Sequence, residues 1–402
     1  MWQDIKNLYH LGQSITANTI YGYPAKGMFN IGVTGTDGKT TTSSMIYHIL
    51  RTAGLKTAII STVGAIIDGH AYDIGFHVTS PDALHLQPYV KKAKAAGVKY
   101  LIIETTSSGL HQNRMHGIPF KIGVLTNISN EHLDYHKTYK NYVKAKAKLF
   151  KQTPVAILNA DDKSFTEITP YIYDNKIITY GRKKNADINP ASFPFKTKLI
   201  GGFNELNALA AIAVAREIGV EDSIIKKALL SFVPPTGREE IVYDKDFTVM
   251  IDFAHTPGAF EAILPEIQKM ISEKPIRKKG RLIHVFGSAG QRDKYKRPEM
   301  GKLSSKYADI IILTAEDPRT EKIEDITNEI VYGISSKFDK NNLYKIPDRR
   351  EAINKAIKIA GKDDIVLITG KAHEKSMNYG NGEEPWNEHL VVKEALKKEI
   401  KE

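Results

Sequence analysis

Short apolar runs alternate with stretches of helical periodicity along almost the whole chain. In the first half, KTAIIST, VKYLIIETT, FKIGVLTN, TPVAILNADD and NKIITYG have the length and composition of buried strands. Helix-like stretches lie among them or follow them, including SPDALHLQPYVKKAKAAG, YKNYVKAKAKLF and NELNALAAIAVAREIG. This alternation predicts βα units and a parallel sheet, so the expected fold class is α/β.

The stretch VPPTGREE interrupts the pattern with two prolines and a glycine, which are typical of a turn or linker. We therefore predict a domain boundary near Arg238, with domains 1–238 and 239–402 and a short N-terminal extension, 1–28. A second α/β series follows, with the strands FTVMIDFAH, RLIHVFGSAG, DIIILTAEDP and DIVLITGKAHE. All four end in polar or glycine-containing segments, where open parallel sheets bind ligands.

The composition narrows the class of protein. A chain of 402 residues is long enough for two domains. The net charge of +11 is spread along the chain with acids interspersed, and no RNA-binding motif is present. This pattern favours a basic surface or anionic small-molecule ligands over nucleic acid. The absence of cysteine excludes disulfides and thiolate metal sites, so any metal must be held by oxygen or imidazole.

No apolar run is long enough to cross a bilayer. The N-terminal stretch MWQDIKNLYHLG lacks a signal-peptide core, so we expect a cytoplasmic protein. The same stretch and the net positive charge of the chain are compatible with contact with a membrane surface. The sequence leaves the oligomeric state open, and a monomer is the default expectation.

The stretch TGTDGKTTT predicts a phosphate-binding loop between a strand and a helix. In such loops backbone N–H groups and the helix start bind phosphate, a lysine neutralises charge and a hydroxyl holds Mg²⁺. The candidate residues are Gly35, Thr36, Asp37, Gly38, Lys39, Thr40 and Thr41. The loop departs from the standard motif at Val33, where that motif has glycine. The alternative is a plain turn with a chance Gly-Lys-Thr.

Three further polar residues strengthen the nucleotide interpretation. Glu104 ends one strand, His132 follows the end of another, and Lys146 lies on a later helix. A carboxylate and an imidazole at neighbouring strand ends can hold a hard cation near bound phosphates. A lone histidine is more often an ordinary surface or core residue, but the joint pattern outweighs that alternative.

From about Phe29 to near the C-terminus these motifs resemble the Mur ligases, and within them the MurE type. Such enzymes add the third amino acid of the peptidoglycan stem to UDP-N-acetylmuramoyl-dipeptide. The resemblance implies a P-loop-type parallel-sheet ATPase domain followed by a Rossmann-like C-terminal domain, with ATP and Mg²⁺ as cofactors. It also implies a muramoyl-peptide acceptor and a free amino acid as substrates. Relatives carry a UDP-binding domain before the loop, where this sequence has about thirty residues, so the acceptor's UDP handle is an open question.

The resemblance assigns roles to individual residues. Lys39 would contact the ATP phosphates and Thr40 the Mg²⁺, while Glu104 and His132 would bind a second Mg²⁺. Lys146 matches a lysine that is carbamylated in the family. The other implied nucleotide contacts are Asn204, Asn207, Arg238, Asp252 and His255. The implied muramoyl-peptide contacts are Thr79, Ser80, Thr106, Gln112 and Arg114.

The incoming amino acid is expected at the turn Glu316-Asp317-Pro318-Arg319, where diaminopimelate-adding relatives read D-N-P-R. Arg319 suits the distal carboxylate of diaminopimelate, whereas Asp317 in place of asparagine would repel that carboxylate and favour the amine of lysine. We lean towards diaminopimelate because of Arg319. Glu374 would meet the α-amine, and Arg292 would help to hold the carboxyl end.

The implied reaction is ATP-dependent amide formation through an acyl phosphate. Charge develops on oxygen atoms in both steps, so cations and backbone donors do most of the catalysis. Three alternatives to this function remain. The first is a non-catalytic homologue. The second is another ligase, either of the folylpolyglutamate or cyanophycin type or with a lipid-linked acceptor, and the third is a nucleotide kinase or GTPase. The last requires a complete standard P-loop.

Overall fold

The structure is a computed structural model that describes residues 2–73, 80–129, 131–273 and 280–399. The chain divides into two compact units, Met1–Val233 and Pro234–Glu402. Arg238, near which the sequence predicts a boundary, belongs to the second unit. Among the described residues, no helix has the length and apolar character needed to span a membrane.

The first unit is built on a mixed sheet. Its strands are β1 Phe29–Thr34, β2 Thr57–Ser61, β3 Gly64–Ile67, β4 His70–Tyr72, β5 Tyr100–Glu104, β6 Phe120–Leu125, β7 Val155–Asn159 and β8 Lys176–Tyr180. Their order in the sheet is β4-β3-β2-β5-β1-β6-β7-β8. Strands β2, β5, β1, β6, β7 and β8 run parallel, and β3 and β4 add an antiparallel edge. The sequence predicted the parallel strands but missed this edge.

Helices cover both faces of the first sheet. They are α1 Trp2–Tyr21, α2 Lys39–Thr52, α3 Ala83–Ala95, α4 Ser107–His111, α5 Leu133–His136, α6 Tyr139–Ala147, α7 Ser164–Ile168, α8 Gly202–Ile218 and α9 Asp222–Ser231. Leu101 and Ile103 of β5 face one core cluster, and Ile102 between them faces the other. Successive strand residues point to opposite faces, so an uninterrupted apolar strand is the expected signature of a sheet buried on both sides.

The second unit contains a smaller sheet with the order β13-β12-β11-β14-β10-β9. Its strands are β9 Glu240–Asp244, β10 Thr248–Asp252, β11 Leu282–Phe286, β12 Ile310–Leu313, β13 Leu343–Lys345 and β14 Ile365–Thr369, with a separate hairpin of β15 Ser376–Asn378 and β16 Glu383–Pro385. Strand β9 pairs antiparallel with β10, and the other pairs in the sheet are parallel. The helices are α10 Pro257–Glu273, α11 Lys296–Tyr307, α12 Ile323–Tyr332, α13 Arg349–Ile359 and α14 Glu388–Glu399.

Candidate functional site

The turn between β1 and α2 can be made only with glycine at two positions. Gly35 has φ 157°, and a Cβ atom there would lie 1.7 Å from Thr126 Oγ1. Gly38 has φ 79°, and a Cβ atom there would lie 2.4 Å from Asn207 Oδ1. Both glycines therefore let the backbone approach neighbouring polar groups closely, as a phosphate-binding loop requires.

The N-terminus of α2 is suited to an anion. No side chain caps it, and its first turn contains no acidic residue. Thr40 and Thr41 are buried in that turn, and Lys39 Nζ donates to Thr36 O at 2.8 Å. The partial positive charge of the helix start and the ammonium group of Lys39 both favour bound phosphate.

Polar residues after β6 hold the loop in place. Asn127 Oδ1 accepts from Asp37 N at 3.0 Å, and Asn127 Nδ2 donates to Asp37 O at 3.2 Å. Thr126 Oγ1 also donates to Asp37 O, at 2.6 Å. Thr126 and Asn127 were not predicted from the sequence as site residues, although both occupy the polar end of a predicted strand.

Glu104 lies at the carboxyl end of β5, with 1% of its surface exposed. Its carboxylate accepts hydrogen bonds from Thr40 Oγ1 at 3.0 and 3.1 Å. It also accepts from the backbone N and Oγ1 of Thr62, at 3.0 and 2.9 Å. The two predicted metal ligands Thr40 and Glu104 are therefore in direct contact, and Thr62 is a third member that the sequence did not reveal.

Lys146 is 1% exposed, and its amine is held against the same loop. Its Nζ donates to Gly35 O at 2.6 Å and lies 4.5 Å from the centre of the Tyr142 ring. Burial holds the pKa of Lys146 well below its usual value, and the charge of Lys39 lowers it further. A lowered pKa favours the deprotonated amine, which is the nucleophilic form of the side chain.

His132 precedes α5 with left-handed backbone geometry, φ 55°. The side chain is exposed, and its ring centre lies 6.0 Å from that of Tyr142. Tyr142 OH is 3.0 Å from Thr36 Oγ1 in the loop. Tyr142 thus borders His132, Lys146 and the phosphate loop, and it is another residue that the sequence analysis missed.

The two predicted adenine-binding residues contact each other at the start of α8. Asn207 Nδ2 donates to Asn204 Oδ1 at 3.1 Å, and Asn207 Oδ1 accepts from Thr42 Oγ1 at 3.1 Å. Asn204 Nδ2 donates to Ile200 O at 2.8 Å. These contacts tie α8 to the helix that begins at the phosphate loop.

Four of the predicted acceptor residues form one connected set. Ser80 Oγ donates to Glu104 O at 3.2 Å and accepts from Thr106 N at 2.8 Å. Arg114 donates from Nη1 to Ser80 O at 2.7 Å and from Nε to Gln112 Oε1 at 2.8 Å. The fifth predicted residue, Thr79, lies outside the described residues.

In the second unit, Arg238, His255 and His373 gather around Phe253 at the end of β10. The Arg238 guanidinium lies 4.6 Å from the Phe253 ring centre, and the rings of His255 and His373 lie 4.6 and 4.8 Å from it. Burial, together with the neighbouring Arg238 charge, lowers the pKa of His373 to about 2. His373 is therefore a neutral imidazole, and Arg238 supplies positive charge there.

Asp252, at the last position of β10, is used to fix the local backbone. Its carboxylate accepts from Glu239 N at 2.8 Å and from Ala254 N at 2.7 Å. His255 Nδ1 donates to Phe253 O at 2.8 Å, and Lys296 Nζ donates to His255 O at 2.8 Å. The predicted nucleotide contacts of this unit thus lie on one rigid strand end.

The turn after β12 carries Asp317, whose carboxylate is paired with the buried Lys371. Asp317 Oδ1 accepts from Lys371 Nζ at 2.9 Å and from Asn378 N at 3.0 Å. Lys371 Nζ also pairs with Glu374 Oε2. Both carboxylates raise the pKa of Lys371 against the lowering effect of its burial, so Lys371 stays charged. Asp317 and Glu374 therefore share one buried cation.

Arg319 completes the same turn in left-handed geometry, φ 52°. Its N donates to Asn378 O at 2.9 Å, and its Nη1 donates to Gly290 O. Arg292 is exposed on the segment between β11 and α11.

Glu316 is a buried carboxyl group that the sequence analysis did not assign. Its side chain lies against Gly370, where a Cβ atom would come within 2.4 Å of Glu316 Oε2. Among the described residues, Oε2 has no hydrogen-bond partner. Burial raises the pKa of Glu316 to about 7.

Known proteins match both units. Residues 33–215 match the family model for the Mur ligase middle domain, and residues 237–372 match the one for the Mur ligase glutamate ligase domain. A UDP-N-acetylmuramoyl-L-alanyl-D-glutamate–2,6-diaminopimelate ligase of Aquifex aeolicus is 39% identical over 407 residues, covering 96% of this chain and 80% of the relative. The chain belongs to the Mur ligase family.

Solved structures agree with this assignment. A structure of a UDP-N-acetylmuramoyl-L-alanyl-D-glutamate–2,6-diaminopimelate ligase is 29% identical, with a TM-score of 0.61 over 98% of this Mur ligase and 83% of that chain. A folylpolyglutamate synthase of Mycobacterium tuberculosis complexed with ADP is 16% identical, with a TM-score of 0.71 over 91% and 92% of the two chains. The second likeness shows the fold alone. The predicted α/β fold class and the resemblance to Mur ligases, which are ATP-dependent amide ligases, are confirmed.

The donor set in the first unit of this Mur ligase fits ATP and a hard cation. The glycine loop and the uncapped start of α2 fit phosphate oxygens. The carboxylate of Glu104 and the hydroxyl of Thr40 are the oxygen ligands that Mg²⁺ prefers. In the part of the chain that the structure describes, no three His, Asp or Glu side chains form a metal-binding group. A complete ligand set would therefore need further oxygen donors, from ATP or from a modified Lys146.

Proposed function

We propose that this Mur ligase joins diaminopimelate to UDP-N-acetylmuramoyl-L-alanyl-D-glutamate in an ATP- and Mg²⁺-dependent reaction. The substrates of the ligases to which the chain is similar support this assignment. The observation that carries the chemistry is Lys146, a buried amine with a lowered pKa that is hydrogen-bonded to Gly35 O of the predicted phosphate loop. A P-loop kinase or GTPase has no use for such a group, whereas an amide ligase of this family uses a carbamylated lysine.

Lys146 is suited to that modification. The lone pair of its deprotonated amine adds to the carbon of CO₂, so that a C–N bond forms while one C=O π bond opens and its electron pair moves to oxygen, and the N–H bond then breaks to release one proton to solvent. The product carries a negative charge and two oxygen atoms, which supply the hard ligands that the site otherwise lacks. Lys39 and the start of α2 would bind the ATP phosphates, while Thr40 and Glu104 would hold Mg²⁺. Bound Mg²⁺ would supply positive charge to the transferring phosphoryl group, and ATP would activate the acceptor carboxylate.

The Asp317–Lys371 contact supports diaminopimelate over lysine. The sequence alone left Asp317 and Arg319 in conflict, because one favours an amine and the other a carboxylate. Asp317 is paired with Lys371 Nζ at 2.9 Å, a cation that it shares with Glu374, and it accepts from Asn378 N at 3.0 Å. It is therefore a weak source of repulsion, and Arg319 sets the preference of the site for the distal carboxylate.

The test is phosphate release from ATP with each acceptor paired with each amino acid. The acceptors are UDP-muramoyl-dipeptide, its UDP-free form and a lipid-linked form, and the amino acids are diaminopimelate and lysine. We expect release that requires an acceptor and diaminopimelate together. No release with any pair, despite measurable ATP binding, would overturn the proposal.

A matched pair of variants on α2 tests the nucleotide site. Thr40→Ala removes the hydroxyl that contacts Glu104 and should weaken Mg²⁺-ATP binding about tenfold. Thr52→Ala, at the exposed end of the same helix, should leave that affinity unchanged. Equal affinities in the two variants would contradict the assignment of Thr40.

A further inference from the structure

One face of α1 is attached by hydrogen bonds to the segment that carries two predicted acceptor residues. Ser14 Oγ donates to Asn113 O at 2.9 Å, and Asn18 Nδ2 donates to His116 O at 2.8 Å. Ser14 and Asn18 are fully buried. Gly117 lies so close that a Cβ atom there would be 2.5 Å from Asn18 Nδ2. Helix α1 therefore fixes the backbone of residues 113–117.

The N-terminal end of the same helix meets a second contact point at Tyr135. Tyr135 OH lies 2.9 Å from Gln3 Nε2, 3.0 Å from Gln112 Nε2 and 3.1 Å from His111 Nδ1. The phenol oxygen accepts from both amides and is also within hydrogen-bond distance of His111 Nδ1, where the tautomer of His111 decides which atom is the donor. Gln3 Nε2 also donates to Asn7 Oδ1 at 3.1 Å, which fixes the orientation of its amide.

The Tyr135 hydroxyl determines how Gln112 is presented. Gln112 Nε2 donates to Tyr135, and Gln112 Oε1 accepts from Arg114 Nε at 2.8 Å. Arg114 in turn donates to Ser80 O at 2.7 Å. The amide is thus held at both of its polar atoms, and a continuous chain of hydrogen bonds leads from Gln3 to Ser80.

Packing alone does not explain the position of α1. Its large apolar side chains Ile5, Leu8 and Tyr9 are 54%, 70% and 67% exposed, whereas the polar Ser14 and Asn18 are buried. A helix docked for hydrophobic burial places these two classes the other way round. The arrangement matches a helix whose buried polar residues hold the backbone of residues 113–117 by hydrogen bonds.

We propose that α1 is part of the acceptor site and that Tyr135 is the positioning residue that transmits its support to Gln112. The inference rests on the proposed function, since it takes Gln112 and Arg114 as contacts of an anionic muramoyl-peptide. Gln3 would act through Tyr135, without touching the acceptor. The ATP site uses other residues, so the effect should be confined to the acceptor.

The first test is the affinity for UDP-muramoyl-dipeptide and, separately, for a non-hydrolysable ATP analogue, measured by titration calorimetry on the full chain. Tyr135→Phe keeps the ring and removes the hydroxyl, so acceptor binding should weaken about tenfold while ATP-analogue binding stays constant. The matched control is Tyr139→Phe, whose hydroxyl donates to Ile128 O at 3.1 Å. It should leave both affinities unchanged.

The second test asks whether α1 and Tyr135 act together. Gln3→Ala alone should weaken acceptor binding about threefold, and adding it to Tyr135→Phe should produce no further loss, because the shared contact is already gone. Gln13→Ala is the control on the same helix, where Gln13 contacts His10 at 3.3 Å. We expect it to have no effect.

The outcomes separate the two proposals. If the unmodified chain binds none of the acceptors, the proposed function fails and this inference fails with it. If the unmodified chain binds and Tyr135→Phe binds equally tightly, only this inference is overturned. A parallel loss of acceptor affinity, ATP affinity and melting temperature in Tyr135→Phe would also overturn it, since that pattern indicates a merely structural role.

Discussion

Lys146 in the first unit and Lys371 in the second are almost completely removed from water, and their pKa values are shifted in opposite directions. Lys146 is hydrogen-bonded to a backbone carbonyl, and burial drives its pKa well down. Lys371 lies between Asp317 and Glu374, which hold its pKa above the usual value. Burial alone therefore does not decide the charge of a lysine; the presence of carboxylates in direct contact does.

The difference corresponds to two chemical tasks. Only a deprotonated amine reacts with CO₂, so the lowered pKa of Lys146 favours the modification that we propose. A permanent cation can hold two acidic side chains in fixed positions, so Lys371 organises the turn that carries Arg319. The expected effects of changing the two lysines therefore differ in kind as well as in size.

The largest effect should come from Lys146→Ala, measured as phosphate release with diaminopimelate and UDP-muramoyl-dipeptide. We expect turnover to fall by about 10³-fold, the scale of losing a main source of transition-state charge stabilisation. Short-chain carboxylates should restore part of the activity, because they replace the carbamate.

The control for that experiment is Lys144→Ala, an exposed lysine on the same helix. It should keep full activity and show no response to added carboxylate. Absence of rescue in Lys146→Ala would contradict the carbamate while leaving the ligase assignment standing.

Lys371→Met should destabilise the second unit by about 3–5 kcal/mol, because it leaves two carboxylates without their shared cation. Urea denaturation in a Trp2→Phe background reports on this unit, since Trp386 is then the only tryptophan. The folded pKa of Lys371 is raised, so its contribution is complete below the ordinary lysine pKa of about 10.4 and is lost only as the pH rises through the higher folded value.

Lys362→Met, an exposed lysine of the same unit, is the control and should change stability little. A Lys371→Met variant as stable as the control would mean that the Asp317 and Glu374 pairs contribute nothing net, and that Asp317 is available to repel a substrate carboxylate.

Glu316→Gln extends the comparison to a buried acid whose Oε2 has no hydrogen-bond partner among the described residues. Its folded pKa is raised to about 7 from 4.5. Ionising the buried carboxyl group lowers the folding stability; this penalty is absent below about pH 4, grows as the pH rises and is complete above about pH 7. At about 1.4 kcal/mol per unit of pKa shift, it reaches about 3 kcal/mol. Glu316→Gln should thus stabilise the second unit at pH 8 and have little effect at pH 4.5.

Glu261→Gln, an exposed glutamate, should show no such pH dependence. If Glu316→Gln and the unmodified chain have the same stability at pH 8, the buried carboxyl carries no penalty and must be paired.

Lys146→Met should have the opposite sign to Lys371→Met. In CO₂-free buffer the folded pKa of Lys146 lies below its unfolded value, so burying this side chain costs folding free energy wherever the unfolded lysine is protonated, and replacing it removes that cost. We expect a gain of about 1–3 kcal/mol, the range for burying a polar group, and this gain should shrink as the pH approaches about 10. Denaturation followed by circular dichroism measures it, and a loss of stability at pH 7 would show that the buried amine is charged.

The sequence was sufficient for those parts of the site whose residues are neighbours in the chain. The spacing of Gly35, Gly38 and Lys39 identified the phosphate loop, and Glu104 was visible as a polar residue ending an apolar strand. Thr62 and Tyr135 were not visible, because each reaches the site through tertiary contacts that no local pattern encodes. For the same reason the negative charge of Asp317 was evident from the sequence, but its partner Lys371, 54 residues away, was not.

The edge strands β3 and β4 were missed for a related reason. They are four and three residues long and only partly buried, so their apolar pattern is too short to distinguish from a loop. Helix α1 was predicted only as a short extension, because about thirty residues precede the loop and the contacts of its buried polar residues with residues 113–117 are tertiary.

The smallest effect should come from Ala372→Gly. Ala372 adopts φ 43°, which costs a non-glycine residue about 1–2 kcal/mol. Glycine would relieve that cost, but it adds about 0.4–1 kcal/mol of unfolded-chain entropy and gives up a buried methyl contact with Gly237 worth about 0.8 kcal/mol. The terms nearly cancel, so stability should stay within about 0.5 kcal/mol of the unmodified chain.

Ala360→Gly, at φ −65°, relieves no strain and should cost about 0.5–1 kcal/mol. Equal losses in both variants would mean that Ala372 is unstrained, and that the loop between Lys371 and Glu374 accepts a side chain without any cost to the pairing that holds Asp317.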